Sequence, residues 1–362
     1  MIPLVKPFIP PREVLMPALE AILYSGYIAE GEPVYEFERQ FADYIQNPNV
    51  LALHSGTDAL HLALLLCGVE KGDEVISTAM TAEPTNTSIV MTGAKVVWAD
   101  VDKANGLIDP VSVRACITKK TKAIIVVHYA GMVCDLDAFG EISREFKIPV
   151  IEDAAHALGA EYKGHPIGSN SPYTIFSLQA IKHMTTVDGG FLTFREPANL
   201  PRARKMRWFG LDKGKSRLEN DITEVGFKYA MNNVNATIGL EQMKFVRAIV
   251  EKYKSNGSFY DSNLRGIDGV QLVTYSNNTH PSYWLYTMKV EKRDEFISAL
   301  QARGIMASPL HHRNDLHSIF KDSKKELPNL NEFYSQLIHI PCGWWVSDEN
   351  RQYIVDAIKK GW

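Results

Sequence analysis

Between about residues 50 and 195, short apolar runs alternate with stretches of helical period, and this alternation sets the expected architecture. The runs cover residues 50–53, 74–77, 95–98, 123–127, 149–151, 174–177 and 191–194. Strands separated by helices predict an α/β fold with a mostly parallel central sheet and helices on both faces. Ligands of such sheets sit at the carboxyl ends of the strands. Ahead of this core Val14, Leu15, Leu19, Ile22 and Leu23 recur at helical spacing and stop at Ser25-Gly26. After it, residues 234–253 read as one long helix, with Ile238, Met243, Val246 and Ile249 on or near one face. That helix leads into a second unit with a strand over 284–290, a helix over 294–302 and a terminal helix near 350–358. The expected division is a large domain with an N-terminal arm, 1–245, and a smaller C-terminal α+β domain, 246–362. The charged, glycine-containing stretch 211–221 is expected to be the least ordered.

Composition narrows the function classes. The 362 residues are 45% hydrophobic, which supports sizeable cores. The net charge of -3, from 39 basic and 42 acidic residues, gives no broad basic field, so neither nucleic acid nor an anionic membrane is an expected partner. Cys67, Cys116, Cys134 and Cys342 are far apart and show no metal spacing, so reduced thiols and no metal are expected. The first residues lack the apolar stretch of a signal peptide, and no apolar run approaches the roughly 20 residues of a membrane helix. A cytoplasmic location is the resulting expectation.

The candidate chemistry falls at the predicted strand ends: Ser55, Asp153, and Lys182 just beyond Ser177. His54-Ser55-Gly56-Thr57-Asp58 follows a strand and opens an apolar helix, whose free N–H groups converge on a spot suited to a phosphate. Taken alone, Ser55 or Thr57 is simply a helix cap. Glu152-Asp153-Ala154-Ala155-His156 ends a buried strand with two acids and continues in small residues, leaving room for a flat ring. By itself this acid serves equally well as a cap for the next helix. Lys182 lies where an apolar strand breaks into a polar turn ending in Gly189-Gly190. Most lysines are solvated surface amines. A phosphate site, a strand-end acid and an amine together imply pyridoxal phosphate, whose aldehyde condenses with lysine and whose ring nitrogen needs an acidic partner.

These pieces, in this order, resemble the DegT/DnrJ/EryC1/StrS family of sugar-nucleotide aminotransferases. The resemblance runs from Pro3-Leu4-Val5-Lys6-Pro7 through Ser25-Gly26, Gly31, 54–60, Gly93-Ala94, 98–102, His128-Tyr129-Ala130-Gly131, 152–159 and 176–190, and continues over 226–233 and 238–242. It implies the aspartate-aminotransferase fold, fold type I, in a homodimer whose two active sites each borrow residues from the neighbour. By motif, Gly56, Thr57 and Ser177 hold the phosphate, Asp153 the pyridine nitrogen, His156 the ring oxygen, and Lys182 the Schiff base. Asn232 matches the asparagine that reaches the phosphate from the other subunit, with Tyr229 in the same shared wall. The implied reaction moves an amino group from L-glutamate to a nucleotide-linked keto sugar. Arg207, Arg313 or Lys228 are candidates for the diphosphate, and His311 and His312 for the sugar. The loops expected to select the substrate are 207–210, the segment near Tyr283 and 309–313.

Three departures from the family pattern stand out. The segment 78–86 lacks the aromatic residue that usually stacks on the cofactor, leaving Met80 or Thr81 as a thinner cover. The usual T-T-G-E-G-G reads Thr185-Thr186-Val187-Asp188-Gly189-Gly190, so valine stands for a glycine. His183 follows Lys182, and in related sugar 3-dehydratases a histidine replaces that lysine. Because Lys182 is retained, aminotransfer is expected, at C4 of a 4-keto-6-deoxy sugar of the perosamine or viosamine type, since the Thr185-Thr186 turn resembles the 4-aminotransferases more than the 3-aminotransferases. A 3-aminotransferase, a dehydratase and a non-catalytic regulator are the alternatives. A nicotinamide oxidoreductase is disfavoured because no G-x-G-x-x-G follows an early strand.

Overall fold

A computed structural model describes residues 1–169 and 171–362. Each apolar run becomes a strand of one seven-stranded sheet: β1 (Val50–Leu53), β2 (Glu74–Thr78), β3 (Lys95–Ala99), β4 (Thr121–Val127) and β5 (Val150–Asp153). A small hairpin, β6 (Glu161–Tyr162) and β7 (His165–Pro166), precedes the last two, β8 (Tyr173–Ser177) and β9 (Gly190–Phe194). The order is β1-β9-β8-β5-β4-β2-β3, and only β9 runs against its neighbours. Because the other strands are parallel, Leu53, Thr78, Val127, Asp153 and Ser177 all end at the same sheet edge. Leu53 and Ser177 both pair with Gly190, which draws the residues after β1, the end of β8 and the start of β9 together.

The helices α1 (Arg12–Leu23), α2 (Glu32–Ile45), α3 (Gly56–Leu66), α4 (Glu83–Met91), α5 (Pro110–Cys116), α6 (Leu136–Phe146) and α7 (Asn199–Met206) accompany this sheet. One core joins Leu60, Leu64, Trp98, Ile124 and Phe139, and another joins Phe37, Phe41, Phe176 and Phe191. The Phe41 and Phe191 rings stack at 3.9 Å. Each such side chain contributes about 1.5–3 kcal/mol by leaving water.

The expected helix over 234–253 is instead two, α8 (Asn233–Met243) and α9 (Val246–Asn263). Lys244 and Phe245 form a turn between them, and Phe245 packs its ring 5.4 Å from that of Phe8. Gly239 lets α8 approach α2, since a Cβ there would lie 2.3 Å from the Phe37 ring. Helix α9 joins two cores, with Val246 and Val250 in the Phe37 cluster and Tyr260, with Leu264 just past its end, in a third. That third core is built on β10 (Val270–Leu272), β12 (Tyr286–Val290) and β13 (Leu337–Ile340), with α10 (Arg293–Ala302) and α12 (Asp348–Lys359). Strand β11 (Thr279–His280) extends the β6–β7 hairpin instead, and α11 (Pro328–Gln336) sends Leu330 and Phe333 into the Trp98 core. The first residues cross to the third core: Ile2 bridges Ile305, and Trp345 Nε1 donates to Pro3 O at 2.9 Å.

The stretch 211–221 forms neither helix nor strand. Its turns are tied by Asn220, which accepts from the Asp212 N–H and donates to the carbonyls of Asp212, Lys215 and Ser216. Among the described residues no helix is long and apolar enough to cross a membrane, and no group of three or more potential ligands could hold a metal. All four cysteines are free thiols.

Candidate active site

A cleft of about 290 Å³ opens at the carboxyl edge of the sheet. Ser55, Gly56, Thr57, Asp153, His156, Ser177, Lys182 and His311 all line it. Ser55 caps α3, its hydroxyl accepting from the Asp58 N–H at 3.0 Å. The cap leaves the first N–H groups of the helix facing the cleft, where the positive helix end favours an anion. Two close approaches shape this cradle. A Cβ on Gly56 would lie 3.0 Å from the Ser177 Cβ, and one on Gly190 would lie 2.6 Å from the backbone of Ser55 and Gly56. Only glycine at 190 lets β9 begin against the start of α3.

Asp153 is almost fully buried at the end of β5. Its Oδ2 accepts from the Thr85 hydroxyl at 2.7 Å and its Oδ1 from the Ala155 N–H at 3.1 Å. Burial pushes its pKa above the usual carboxylate value, and these two donors, Lys182 and His128 oppose that rise. The Lys182 Nζ lies 4.1 Å from the centre of the Trp284 ring. Burial lowers the amine to about 7, with Asp153 as the opposing charge. A surface lysine at its ordinary value is almost wholly protonated at neutral pH, whereas this one is partly free and nucleophilic.

The His156 ring stacks on Trp284 at 3.9 Å. Its Nδ1 accepts from the Ala130 N–H at 3.3 Å, which assigns the ring proton to Nε2. That Nε2 is buried and has no hydrogen-bond partner among the described residues. Burial first, then Lys182 and neighbouring histidines, hold the ring neutral with a pKa well below the usual histidine value. An anion cradle, a buried carboxylate, a near-neutral amine and an unpartnered imidazole N–H around one cleft fit pyridoxal phosphate.

Other expectations are corrected. Arg207 is not available to a substrate: it is buried, donating to Glu38 and Ala52 O at 2.8 Å and to Glu30 at 2.6 Å. A buried guanidinium needs such partners, so its neighbours consume the charge. His312 is exposed and outside the cleft, its ring edge-on to His317, because the turn at Leu310, with φ 63°, presents His311 inward instead. Arg313 is engaged by Asp315 at 2.7 Å, and Lys228 stays exposed over Trp208. Tyr283 turns into the third core and donates to Asp261 at 2.7 Å. Tyr229 lies outside the cleft, its hydroxyl 3.0 Å from His61 Nδ1, while its backbone holds His54 beside the cradle. Asn232 is a different case: expected to serve the other subunit's cofactor, it caps α8 outside its own chain's cleft, a position that does not contradict that expectation.

The three departures acquire physical form. Of the two residues expected as a thinner cover, Thr81 lines the cleft and Met80 is buried away from it. Val187 adopts φ 73°, a conformation that favours glycine. His183 points out of the cleft, its Nε2 3.1 Å from Ser282 O. Sequence reasoning missed Thr85, Glu83 and Trp284. The i, i+4 pair Thr81 and Thr85 at a helix start was a visible signal, but nothing near Trp284 announced that it would reach back to His156.

Comparison with known proteins gives the family. The model of the DegT/DnrJ/EryC1/StrS aminotransferase family matches residues 12–359. The chain is 34% identical to the UDP-4-amino-4-deoxy-L-arabinose–oxoglutarate aminotransferase of Shewanella sediminis, covering 99% of this chain and 97% of the relative. The crystal structure of the sugar aminotransferase CalS13 from Micromonospora echinospora superposes with a TM-score of 0.96 at 34% identity, over 100% of both chains. DesV from S. venezuelae, solved in complex with a ketimine intermediate, superposes with a TM-score of 0.90 at 28% identity, over 96% and 94% of the two chains. The chain therefore belongs to the DegT/DnrJ/EryC1/StrS aminotransferase family and is a pyridoxal-phosphate-dependent sugar aminotransferase.

Proposed function

We propose that this enzyme moves the amino group of L-glutamate to C4 of a nucleotide-linked 4-keto-6-deoxy sugar, as a homodimer in which each cleft is completed by the partner. The observation that carries aminotransfer is the Lys182 amine, near neutrality inside the cleft with Asp153 as its counter-charge. Position C4 is supported by the full-length match to a relative named for a 4-amino-4-deoxy sugar, and by the Thr185-Thr186 turn.

When bound, pyridoxal phosphate supplies an aldehyde that carries the amino group between the two substrates and a ring that takes up electron density. The N–H groups of Gly56 and Thr57 and the Ser177 hydroxyl would hold the phosphate, with Ser55 fixing the cradle as cap. Asp153 would pair with the ring nitrogen, and the His156 Nε2–H would donate to the ring oxygen. Lys182 Nζ would hold the cofactor's carbonyl carbon and, as a free amine, would carry a proton between the substrate carbon and that cofactor carbon, in one direction with the amino donor and in the other with the keto sugar. His311, at the cleft wall with a pKa lowered by burial to about 4, offers a neutral imidazole to the sugar.

The shared-site arrangement rests on Asn232. It stands outside its own cleft beside the turn 186–188, to which Asn235 is tied at 2.8 and 2.7 Å. Its neighbour Asn233 holds Tyr27 O, and Tyr27 and Ile28 remain exposed there, an apolar surface suited to a second copy. The dehydratase reading is disfavoured because Lys182 lines the cleft and His183 is turned out of it.

The test is an absorption spectrum before and after L-glutamate, followed by a panel of nucleotide-linked keto sugars. Loss of the near-visible band with glutamate, and its return with a 4-keto-6-deoxy sugar, is expected. Bound cofactor indifferent to glutamate would reject aminotransfer, and recovery with a 3-keto sugar alone would reject C4.

A further inference from the structure

Thr81 and Thr85 lie one helical turn apart where the loop after β2 enters α4, and both are buried, at 2% and 1% exposure. Thr85 Oγ1 donates to Asp153 Oδ2 at 2.7 Å, and Thr81 Oγ1 stands 2.8 Å from Thr85 Oγ1. A hydroxyl carries one proton. Because Thr85 directs its proton to the carboxylate, Thr81 donates to Thr85, and the chain has one polarity from Thr81 to Asp153.

The surrounding structure prevents these hydroxyls from turning elsewhere. Asn86 Nδ2 donates to Thr78 O and to Asn314 Oδ1, both at 2.9 Å. Asn314 Nδ2 in turn donates to Thr81 O at 2.8 Å, and the Asn314 N–H to Ala79 O at 3.0 Å. Both asparagines are fully buried. The clamp therefore fixes the backbone of the loop from both sides, one side supplied by a residue more than two hundred positions away in sequence.

We propose that the Thr81–Thr85 hydroxyl chain is a positioning device for Asp153, which orients its carboxylate and keeps it ionised toward the cofactor's ring nitrogen. The proposal rests on the assignment of Asp153 made above. Its physical basis is that a buried carboxylate loses hydration, and hydrogen bonds to the charged form offset that loss. Such bonds are short and charge-assisted, and a donor that is itself hydrogen-bonded is polarised further. The other charged or titratable groups acting on Asp153 are Lys182 and His128, neither of which fixes the direction in which Oδ2 points. Where Thr81 occupies the place of an aromatic cover, the ring is retained less by stacking and more by this paired carboxylate.

The test uses Thr85→Val, which keeps the shape and deletes the hydroxyl, in the full-length protein reconstituted with either pyridoxal phosphate or 1-deazapyridoxal phosphate, whose ring nitrogen is replaced by C–H. Dissociation constants are read from the absorption of the bound cofactor. The wild type should prefer pyridoxal phosphate, and Thr85→Val should weaken it about tenfold or more while leaving the deaza analogue unchanged, the size expected of a hydrogen bond to a charged group. Thr85→Ser should restore the preference, and Thr81→Val, which leaves Thr85 in place, should give a smaller loss in the same direction. Equal weakening of both cofactors in Thr85→Val and Thr81→Val would overturn the proposal, because only packing would then have been lost. A wild type that does not distinguish the two cofactors would overturn the pairing of Asp153 with the ring nitrogen, and the hydroxyl chain's role with it.

Discussion

Val187 holds φ 73° with 55% of its surface exposed, so a β-branched residue occupies a left-handed position without the burial that would offset the strain. Such a conformation costs about 1–3 kcal/mol for a non-glycine residue. Glycine removes it but adds about 0.5–1 kcal/mol of chain entropy to be lost on folding. Val187→Gly should therefore raise stability by about 1 kcal/mol, read as a higher urea midpoint at fixed protein concentration. A lower midpoint would show that the isopropyl group contributes more to stability than its backbone conformation costs. At this scale the site was legible where chemistry coincides with a strand end: Ser55, Asp153, His156, Ser177 and Lys182 all line the cleft. It was not legible where a side chain's environment depends on distant contacts. Arg207 looks like a free cation beside Trp208, and only the fold brings Glu30 and Glu38 around it.

That cluster ties elements together. Arg207 follows α7, Glu38 lies in α2, and Ala52 of β1 is held by both, its N–H donating to Glu38 at 2.8 Å and its carbonyl accepting from Arg207 at 2.8 Å. The backbone continues the link, since the Tyr229 N–H donates to Arg207 O and the His54 N–H to Tyr229 O, one residue before the cap of α3. Arg207→Met leaves the buried Glu38 without a cation and Glu30 with Lys213 alone, which should cost about 3 kcal/mol. The expected result is a large fall in the urea midpoint with KM for the sugar substrate unchanged in the folded fraction. A higher KM with unchanged stability would return Arg207 to the substrate. The strands were readable because runs buried on both faces leave a continuous apolar trace. The break between α8 and α9 was not, because the apolar period continues through Phe245 while its packing on Phe8 is set by a segment at the other end of the chain.

Across the whole molecule, the approach of the third core to the sheet edge buries histidines with few charged partners. Burial lowers His183 and His311 to about 4 and His339 to about 3, and holds His156 well below the usual value. In the unfolded chain these imidazoles take up protons near pH 6.5, whereas in the folded chain they remain neutral to much lower pH. The unfolded state therefore binds more protons between about pH 4 and 6.5, and stability falls as pH drops through that window. Each histidine contributes up to about 1.4 kcal/mol per pH unit there. Carboxyls raised by burial, Asp58, Asp153 and Asp261, act in the opposite sense, because protonation relieves them, but their ordinary value of 3.8 places most of that gain nearer the acid end. Urea midpoints measured from pH 7.5 to 5 should thus decline with increasing slope below 6.5. His339, held between the Tyr129 and Thr287 hydroxyls at 3.1 Å each, provides the control. His339→Gln keeps a polar side chain with no titration in this range, so its profile should be shallower than wild type by one proton's share. A wild-type profile flat to pH 5 would mean that these rings reach water or a carboxylate in solution, and that the third core is less closed over the cleft than its burial implies.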